Sequence, residues 1–370
     1  MPLRLRIAWV IVASAVSMCG AAQPANDPPL LFELWRGPAV ALAEAERQPL
    51  DVARVLAARY PENPSMSYIP AVAWSGALRL AALTREDKWK EKPRRDMRPF
   101  FSGEKPSIAP PYALTSLAGH LAFVDLAVSD DDAPALALAR KAADFILPQS
   151  PDEIVRFARG WTDDMFMATT LLARVASRTA DDGYARVIGR LLTSYAGKLQ
   201  RPDGLFIHAV EGPHAWGRGN GFAAMGLADA LAYLPESWPD RPRVVDIFRR
   251  HMRAMVGQQS DDGAWREVVD EPTAYQELTV TAMTVAAMAR GVRRGWLDRE
   301  LLPVIDRAWQ AVLARVADDG ALRDVCASTG AGPTKEYYLK RPAINGADDR
   351  GGAMALLAAL EVEELRRAPR

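Results

Sequence analysis

The first candidate for chemistry is a pair of adjacent carboxylates in the segment 161–166. Asp163 and Asp164 stand side by side there, close to Trp161 and just before a helix-like run from Met167 to Val175. An aspartate at the start of a helix commonly caps free backbone amides, and we expect one of the two to do only this. Repulsion between like charges and an apolar neighbour both raise the pKa of a carboxyl group toward the range of a general acid. The pattern therefore predicts one structural and one chemically active aspartate.

A glycine-rich run over 214–222 offers groups suited to an acidic ligand. Its glycines let the backbone approach a ligand closely, and Arg218 carries a planar fork that binds a carboxylate through two hydrogen bonds. Asn220 lies within the same run, and the alternative is a tight loop that merely enters a helix predicted over 222–234. His208, in a short apolar segment before the run, is either a ligand contact or a satisfied buried histidine.

Composition narrows the classes of function. The chain has 46 basic and 46 acidic residues and no dense Lys/Arg tract, which argues against a nucleic-acid partner. Four histidines, two cysteines and the lack of a His-x-x-x-His or Cys-x-x-Cys pair leave a transition-metal site unsupported. No Gly-x-Gly-x-x-Gly or P-loop motif links a strand to a helix, so a nucleotide cofactor is not expected. We therefore predict neither metal nor cofactor.

The elements that must position these residues are predicted from an internal repeat. Turns ending in Asp-Gly recur at Gly204, Gly263 and Gly320, which are 59 and 57 residues apart, and helical periodicity fills the intervals between them. Each repeat holds about two helices, and the chain is long enough for six such repeats. This predicts an all-α fold, an (α/α)6 toroidal barrel of six helical hairpins, with an open helical solenoid as the alternative. Loops at one face of such a ring converge on a central cleft.

The N-terminus predicts export. Arg4 and Arg6 precede an almost wholly apolar run from Ile7 to Ala22, which is typical of a secretory signal and too short to span a bilayer comfortably. We predict a signal peptide over 1–22 and a single catalytic domain over 23–370, located in the periplasm or outside the cell. A lipid anchor at Cys19 is the alternative, because Val16 to Cys19 is similar to a lipoprotein attachment box. No later segment is long and apolar enough to cross a membrane.

Several motifs carry a resemblance to a known family. The motifs are Trp161-x-Asp163-Asp164-x-Phe166-Met167, Asp203-Gly204-Leu205-Phe206-x-His208, Trp216-Gly217-Arg218-Gly219-Asn220-Gly221, Tyr275-x-Glu277-x-Thr279-x-Thr281-Ala282-Met283, and Val325-Cys326-x-x-Thr329-Gly330 with Tyr337-Tyr338. In this order they resemble the unsaturated glucuronyl and rhamnogalacturonyl hydrolases, glycoside hydrolase families 88 and 105. The resemblance extends from about residue 155 to the C-terminus.

That resemblance implies an (α/α)6 barrel that acts on oligosaccharides released by polysaccharide lyases, whose non-reducing end is a 4,5-unsaturated uronic acid. The family hydrates the C4=C5 double bond instead of attacking the glycosidic carbon. By matching position, Asp163 would protonate C4 and then help water to add at C5, giving a hemiketal that opens and releases the sugar. The residues that would line the sugar site are Trp161, Asp164, His208, Trp216, Arg218, Asn220 and Phe222.

The sequence also departs from the family pattern. Phe222 stands where the family usually has Trp after Arg-Gly-Asn-Gly, and the family's second aspartate is missing near 114–119. Asp125, Asp164 and Asp349 are the candidates to replace that aspartate. Two alternatives follow from these departures: a hydrolase or lyase for another uronic-acid saccharide, and a non-catalytic saccharide-binding relative.

Overall fold

The described chain is built from helices that alternate between an inner and an outer layer. A computed structural model describes residues 47–179 and 181–369, so the predicted signal peptide and Cys19 lie outside the described residues. The inner helices are α2 (Tyr68–Thr84), α5 (Leu121–Asp130), α7 (Thr162–Thr179), α9 (Gly217–Tyr233), α11 (Leu278–Arg293) and α14 (Asp349–Arg367). The outer helices are α1 (Pro49–Arg59), α3 (Lys88–Phe101), α6 (Ala133–Ile146), α8 (Asp182–Leu199), α10 (Arg241–Val256) and α12 (Leu302–Leu313).

The inner helices form a closed ring. Each packs on the next in the order α2, α5, α7, α9, α11 and α14, and α14 packs back on α2 and on α1. Each outer helix packs behind the ring against its neighbours in the chain. The predicted (α/α)6 barrel is therefore confirmed, and the contact between α14 and α2 excludes the open solenoid. None of the described helices is both long and apolar enough to cross a bilayer.

Short elements cap the ring at one end. Helices α4 (Leu114–Leu117) and α13 (Lys335–Leu339) are single turns. Strand β1 (Trp265–Arg266) pairs antiparallel with β2 (Gln276–Glu277), and β3 (Leu322–Cys326) pairs antiparallel with β4 (Ala343–Gly346). The two small hairpins flank the starts of inner helices, since β2 leads directly into α11.

The repeated Asp-Gly turns have one shared geometry. Gly204, Gly263 and Gly320 have φ of 99°, 91° and 81°, a left-handed conformation that glycine adopts without strain. In each turn the glycine amide donates to the carbonyl three residues earlier, and the aspartate before the glycine accepts the amide of the residue after it. Because the same turn leads from an outer helix toward the next inner helix, it sets the period that the sequence predicts.

Close approach of the inner helices depends on small residues. A Cβ atom at Gly226 of α9 would overlap the backbone of Met165 in α7, and one at Gly352 of α14 would overlap the ring of Tyr60. Helix α11 is buried from Leu278 to Val292, on all its faces. Such a helix can only form inside a larger core, so its stability comes from tertiary packing.

All inner helices run in the same direction, which gives the ring two different mouths. At the N-terminal mouth, where the inner helices start, Tyr68 of α2 packs edge-on against Phe166 and Phe222, with ring centroids 6.3 and 5.7 Å away. At the C-terminal mouth, where they end, Glu361 of α14 forms ion pairs with Arg79 of α2. The motif residues belong to the N-terminal mouth.

Candidate active site

Asp163 lies in the first turn of α7, at the N-terminal mouth. The amide of Thr162 donates to the carbonyl of His208 at 2.9 Å and fixes the start of the helix. The side chain of Asp163 is 22% exposed, and its Oδ2 lies 3.2 Å from Nε2 of His208. The two atoms are close but not aligned for a hydrogen bond, and neither has another partner in the described chain. Asp163 is thus a carboxylate with access to solvent and spare hydrogen-bonding capacity.

His208 is held by an aromatic box. Its ring is fully buried, with ring centroids 5.1 Å from Trp161, 4.5 Å from Trp216 and 5.7 Å from Tyr338. The Tyr338 hydroxyl oxygen lies 3.0 Å from Nδ1 of His208 and accepts the amide of Gly332 at 3.1 Å. Because that amide can only donate, the hydroxyl proton is free to bond to Nδ1. This arrangement allows the tautomer of His208 that carries its proton on Nε2, the nitrogen nearer to Asp163.

Asp164 has a structural position. It is buried, and its Oδ2 accepts the amides of Arg159, Gly160 and Trp161 at 2.8, 2.8 and 3.2 Å and the hydroxyl of Tyr195 at 2.8 Å. Burial raises the pKa of Asp164 to about 6, the hydrogen bond from Tyr195 opposes this, and the charge of Asp163 adds to it. Asp164 therefore shapes the loop before α7, and it is the capping member of the predicted pair.

Arg218 uses its fork differently from the expectation. It is 3% exposed, and it donates to the carbonyls of Cys326 at 2.7 Å and Ala327 at 3.2 Å while stacking 4.9 Å from the ring of Trp216. Both branches of the guanidinium thus hold the start of the 327–334 loop. Arg218 and Asp163 nevertheless share the N-terminal mouth, because Trp216, on which Arg218 stacks, packs against the His208 ring that lies beside Asp163.

The remaining motif residues are buried and hold the backbone around the site in place. Asn220 accepts the amide of Phe206 at 2.9 Å and donates to the carbonyls of Phe206 and Trp216 at 2.8 and 2.9 Å. Phe222 stacks on Phe166 with centroids 5.8 Å apart. Of the eight site residues predicted from the sequence, only Trp161 and Asp163 retain partial exposure. The other six are buried, and their polar groups contact other protein groups in the described chain.

Trp161 contacts charged residues that lie outside the motifs. Its Nε1 donates to the exposed carboxylate of Glu211 at 2.7 Å, and Arg159 lies 5.1 Å above its ring. The exposed Tyr337 hydroxyl accepts the amide of Gly330 at 3.2 Å. Glu211 lies in an irregular loop and belongs to none of the motifs. The Tyr337-Tyr338 pair, by contrast, is part of the last motif.

None of the candidates for a second carboxylate is free to act beside Asp163. Asp125 lies near the C-terminal mouth, 3.4 Å from Arg174. Asp349 accepts the amides of Glu62 and Asn63 at 2.7 and 3.0 Å, and it therefore anchors the segment after α1. Asp164 is occupied by four donors. Glu211 is a further carboxylate at the edge of the site, where it accepts a hydrogen bond from Trp161.

A buried pair of glutamates lies behind the box. Glu277 caps α11 by accepting the amides of Thr279 and Val280, and it also accepts the amide of Cys326 at 2.8 Å. Oε1 of Glu267 lies 3.7 Å from the Cys326 sulfur, and its Oε2 has no partner in the described chain. Burial, and then the charge of Glu277, raise the pKa of Glu267 to about 8. Burial therefore favours the protonated form of this glutamate in the folded protein.

Comparison with known proteins places this fold and these motifs in one family. A sequence model of Glycosyl Hydrolase Family 88 matches residues 43–366. The chain is 27% identical over 173 residues to an unsaturated 3S-rhamnoglycuronyl hydrolase of Alteromonas sp., covering 43% of this chain and 42% of that protein. It is 25% identical over 255 residues to an unsaturated rhamnogalacturonyl hydrolase of Bacillus subtilis, covering 63% of this chain and 72% of that protein.

The fold comparison agrees. A family 105 glycoside hydrolase from C. acetobutylicum aligns with a TM-score of 0.75 at 21% identity, covering 85% of this chain and 98% of the other. The match to the Alteromonas protein spans less than half of that protein's length. The match to the family, by contrast, extends over nearly the whole described ring, from before α1 to the last turn of α14. The chain belongs to glycosyl hydrolase family 88.

Proposed function

We propose that this enzyme is a glycoside hydrolase for oligosaccharides that end in a 4,5-unsaturated uronic acid. The observation that carries the proposal is the partly exposed carboxylate of Asp163, next to the buried imidazole of His208, at the N-terminal mouth of a family 88 ring. The relatives named as unsaturated rhamnoglycuronyl and rhamnogalacturonyl hydrolases support the same substrate class.

The ring itself favours an acidic substrate. A helix N-terminus carries a partial positive charge of about half a unit, and the starts of the inner helices meet at the mouth that holds Asp163. Unpaired backbone amides at such ends bind carboxylates and other anions. The partial positive charge of these helix ends favours a terminal uronate at this mouth, although Arg218 is occupied by carbonyl groups and Glu277 caps the start of α11. Trp161 provides a flat, partly exposed ring for the sugar face.

The proposed reaction adds water across the C4=C5 double bond. Asp163 in its acid form donates a proton to C4, and the developing positive charge at C5 is taken up by a water molecule that loses a proton to the resulting carboxylate. Nε2 of His208 lies 3.2 Å from Oδ2 of Asp163, and a proton on this nitrogen would stabilise the carboxylate form between the two steps. The hemiketal formed at C5 opens and releases the second sugar, so Asp163 ends in its starting state.

The test is ultraviolet absorbance of lyase-generated oligosaccharides from pectin, glycosaminoglycan and ulvan. The wild-type enzyme should remove the absorbance of the conjugated double bond, and Asp163→Asn should lose at least about 100-fold in kcat because general acid catalysis typically contributes this much. Asp261→Asn is the matched control, since Asp261 is exposed in a turn away from α7. Unchanged turnover in Asp163→Asn would reject the role of Asp163.

A second candidate is favoured by one observation: none of the three carboxylates considered as replacements for the missing aspartate is free to work with Asp163. This candidate is hydrolase or lyase chemistry on another uronic-acid saccharide. Product analysis distinguishes the two, because a lyase creates the double bond that hydration removes. Saccharide binding in calorimetry without product would instead indicate the non-catalytic relative.

We also propose that the chain is exported to the periplasm or beyond, on the basis of the apolar segment after Arg4 and Arg6. N-terminal sequencing of the mature protein from fractionated cells should find a start close to residue 23. A mature chain that begins at Cys19 and partitions with membranes would indicate the lipid anchor. A chain that retains Met1 in the cytoplasm would contradict export.

A further inference from the structure

A large cavity opens at the C-terminal mouth, at the other end of the ring from Asp163. Its volume is about 770 Å³, and all six inner helices contribute to its lining. Volumes of this size are common for small-molecule sites. The inner wall is apolar, and it is formed by Val72, Leu121, Phe166, Met225 and Leu357. We propose that this cavity is a binding site for a small organic monoanion with an apolar body.

The paired charges around the cavity explain the closure of the ring but not the empty space. Asp229 accepts hydrogen bonds from Arg174 and Arg290, and Glu361 accepts them from Arg79, Arg290 and Arg293. Asp125 and Glu364 pair with the same arginines, so that four acids face four arginines at this end of the ring. Protein interiors are otherwise close-packed, with few voids larger than a water molecule. A structural role alone would therefore be served by a smaller, filled interior.

The charge at the rim selects an anion. Arg85 and Arg294 are exposed at the mouth, and neither guanidinium forms an ion pair or hydrogen bond with a described residue. Lys90, by contrast, is paired with Asp87 and Asp130 at 3.2 and 3.5 Å. The two arginines directly follow α2 and α11, where a positive charge also offsets the partial negative charge of the helix end. The cavity therefore has two free guanidiniums at its entrance and an apolar wall at its base.

Apolar groups at the same rim favour an amphipathic ligand. Val128 is 59% exposed at the mouth, which is unusual for a valine at the end of a core helix. Tyr233 also lines the cavity, and the guanidinium of Arg174 lies 4.5 Å from its ring. A ligand with one acidic group at the arginines and an apolar chain or ring toward Phe166 satisfies both features. Aliphatic and aromatic acids share this chemistry.

An aromatic layer separates this cavity from the proposed active site. Phe166 lines the cavity and stacks on Phe222, and Tyr68 packs edge-on against both rings. The proposed ligand therefore does not reach Asp163, and its binding does not depend on the proposed function.

The experiment uses two fluorescent compounds that share a body but differ in charge, with the full chain at low salt. The anionic compound 8-anilinonaphthalene-1-sulfonate should bind with one site per chain, and neutral N-phenyl-1-naphthylamine should bind at least about tenfold more weakly. The double variant Arg85→Ala/Arg294→Ala should weaken sulfonate binding about tenfold, an effect that high salt removes. Displacement by octanoate or by 2-naphthoate identifies the aliphatic or the aromatic source.

Two kinds of control keep the test specific. Arg243→Ala/Arg253→Ala, which removes two exposed arginines of the outer helix α10, and Asp163→Asn should both leave sulfonate binding unchanged. Ala232→Trp fills the cavity from α9 and Ala82→Trp fills its exposed rim, and circular dichroism checks that each variant is folded. Equal binding of the neutral compound, undiminished binding in the arginine double variant, or full binding in both tryptophan variants would overturn the proposal.

Discussion

Asp163 and Asp164 are adjacent in sequence but belong to different environments. Successive residues of an α-helix are rotated by about 100° around its axis, so one side chain points toward the open mouth while the other points into the loop before α7. Asp164 meets three amides and the Tyr195 hydroxyl there. Among the described residues, the polar partner recorded for the Asp163 carboxylate is His208. The chemistry of the site at residue scale follows from this division, because only an unoccupied carboxylate can exchange a proton with a substrate.

The buried carboxyl group of Glu267 should make the stability of the protein depend on pH. Its pKa is raised to about 8 by burial and by Glu277, from an ordinary value of 4.5. The neutral form therefore adds stability that is fully present below pH 4.5 and is lost as the pH rises through about 8. Glu267→Gln keeps the size and stays neutral, so we expect it to be more stable than wild type at pH 9 by about 2–4 kcal/mol.

Denaturant unfolding between pH 5 and pH 9 measures this difference, which should shrink toward zero at the acidic end. Glu300→Gln, at an exposed position, is the matched control and should show no pH-dependent difference from wild type. A stability difference for Glu267→Gln that stays the same at every pH would contradict a buried neutral carboxyl group.

Residue types alone could propose a candidate site but not the contacts that each of its members makes. The motifs correctly bring Asp163, His208 and Arg218 to one mouth of the ring. They could not show that the guanidinium of Arg218 donates to two backbone carbonyl groups. A guanidinium can donate to carbonyl or to carboxylate oxygens, and the sequence does not show which of them it meets. Exposure depends on how the 327–334 loop folds over the box, and that loop is fixed by contacts distant in sequence.

Among the helices and turns, the sequence predicts the positions of helices well where the Asp-Gly turn repeats and less well elsewhere. The three Asp-Gly turns adopt the same left-handed geometry and predict the spacing of the last hairpins. The first hairpins lack this turn, and α3 contains Pro93 and Pro99 inside a helix, where proline removes a backbone donor. Packing of Met97 and Phe100 against the core overrides that local preference, so sequence patterns would end the helix too early.

Asn220 provides a prediction for the junction between two elements. Its side chain joins the segment after the first Asp-Gly turn to the start of α9 through three hydrogen bonds. Asn220→Asp keeps the shape but places an oxygen against the carbonyls of Phe206 and Trp216. We expect a loss of about 2–4 kcal/mol in the free energy of unfolding, because two buried acceptors lose their donor and a charge is buried beside them.

The matched control for this junction is Asn345→Asp. Asn345 is exposed, and its side-chain oxygen accepts the amide of Asp324 at 3.0 Å, which an aspartate can also do. Its cost should stay within about 0.5 kcal/mol. Chemical denaturation of both variants at pH 7 makes the comparison, and similar losses in the two would argue against a clamp at Asn220.

At the scale of the whole ring, the parallel inner helices create two mouths of opposite electrostatic character. Their N-termini concentrate partial positive charge around Asp163, and their C-termini concentrate partial negative charge at the other end. Arginines of α2, α7 and α11 meet that negative end and are joined to acids of α9 and α14. Ring closure and the polarity of the proposed substrate site therefore have a common origin in helix direction.

Glu361 is where this closure can be tested. It is fully buried and accepts from arginines of α2 and α11, which hold its pKa well below the usual range although burial alone would raise it. Glu361→Gln leaves three guanidiniums without their shared anion, so we expect about 3–5 kcal/mol less stability. Glu363→Gln, two residues along α14 in an i,i+4 pair with Arg367, should cost only about 0.5 kcal/mol. Thermal unfolding should show one cooperative transition in both variants. Kinetics on the folded proteins should give the same KM, because Asp163 lies at the other mouth. Equal stability losses in the two variants would mean that α14 joins the ring through packing alone.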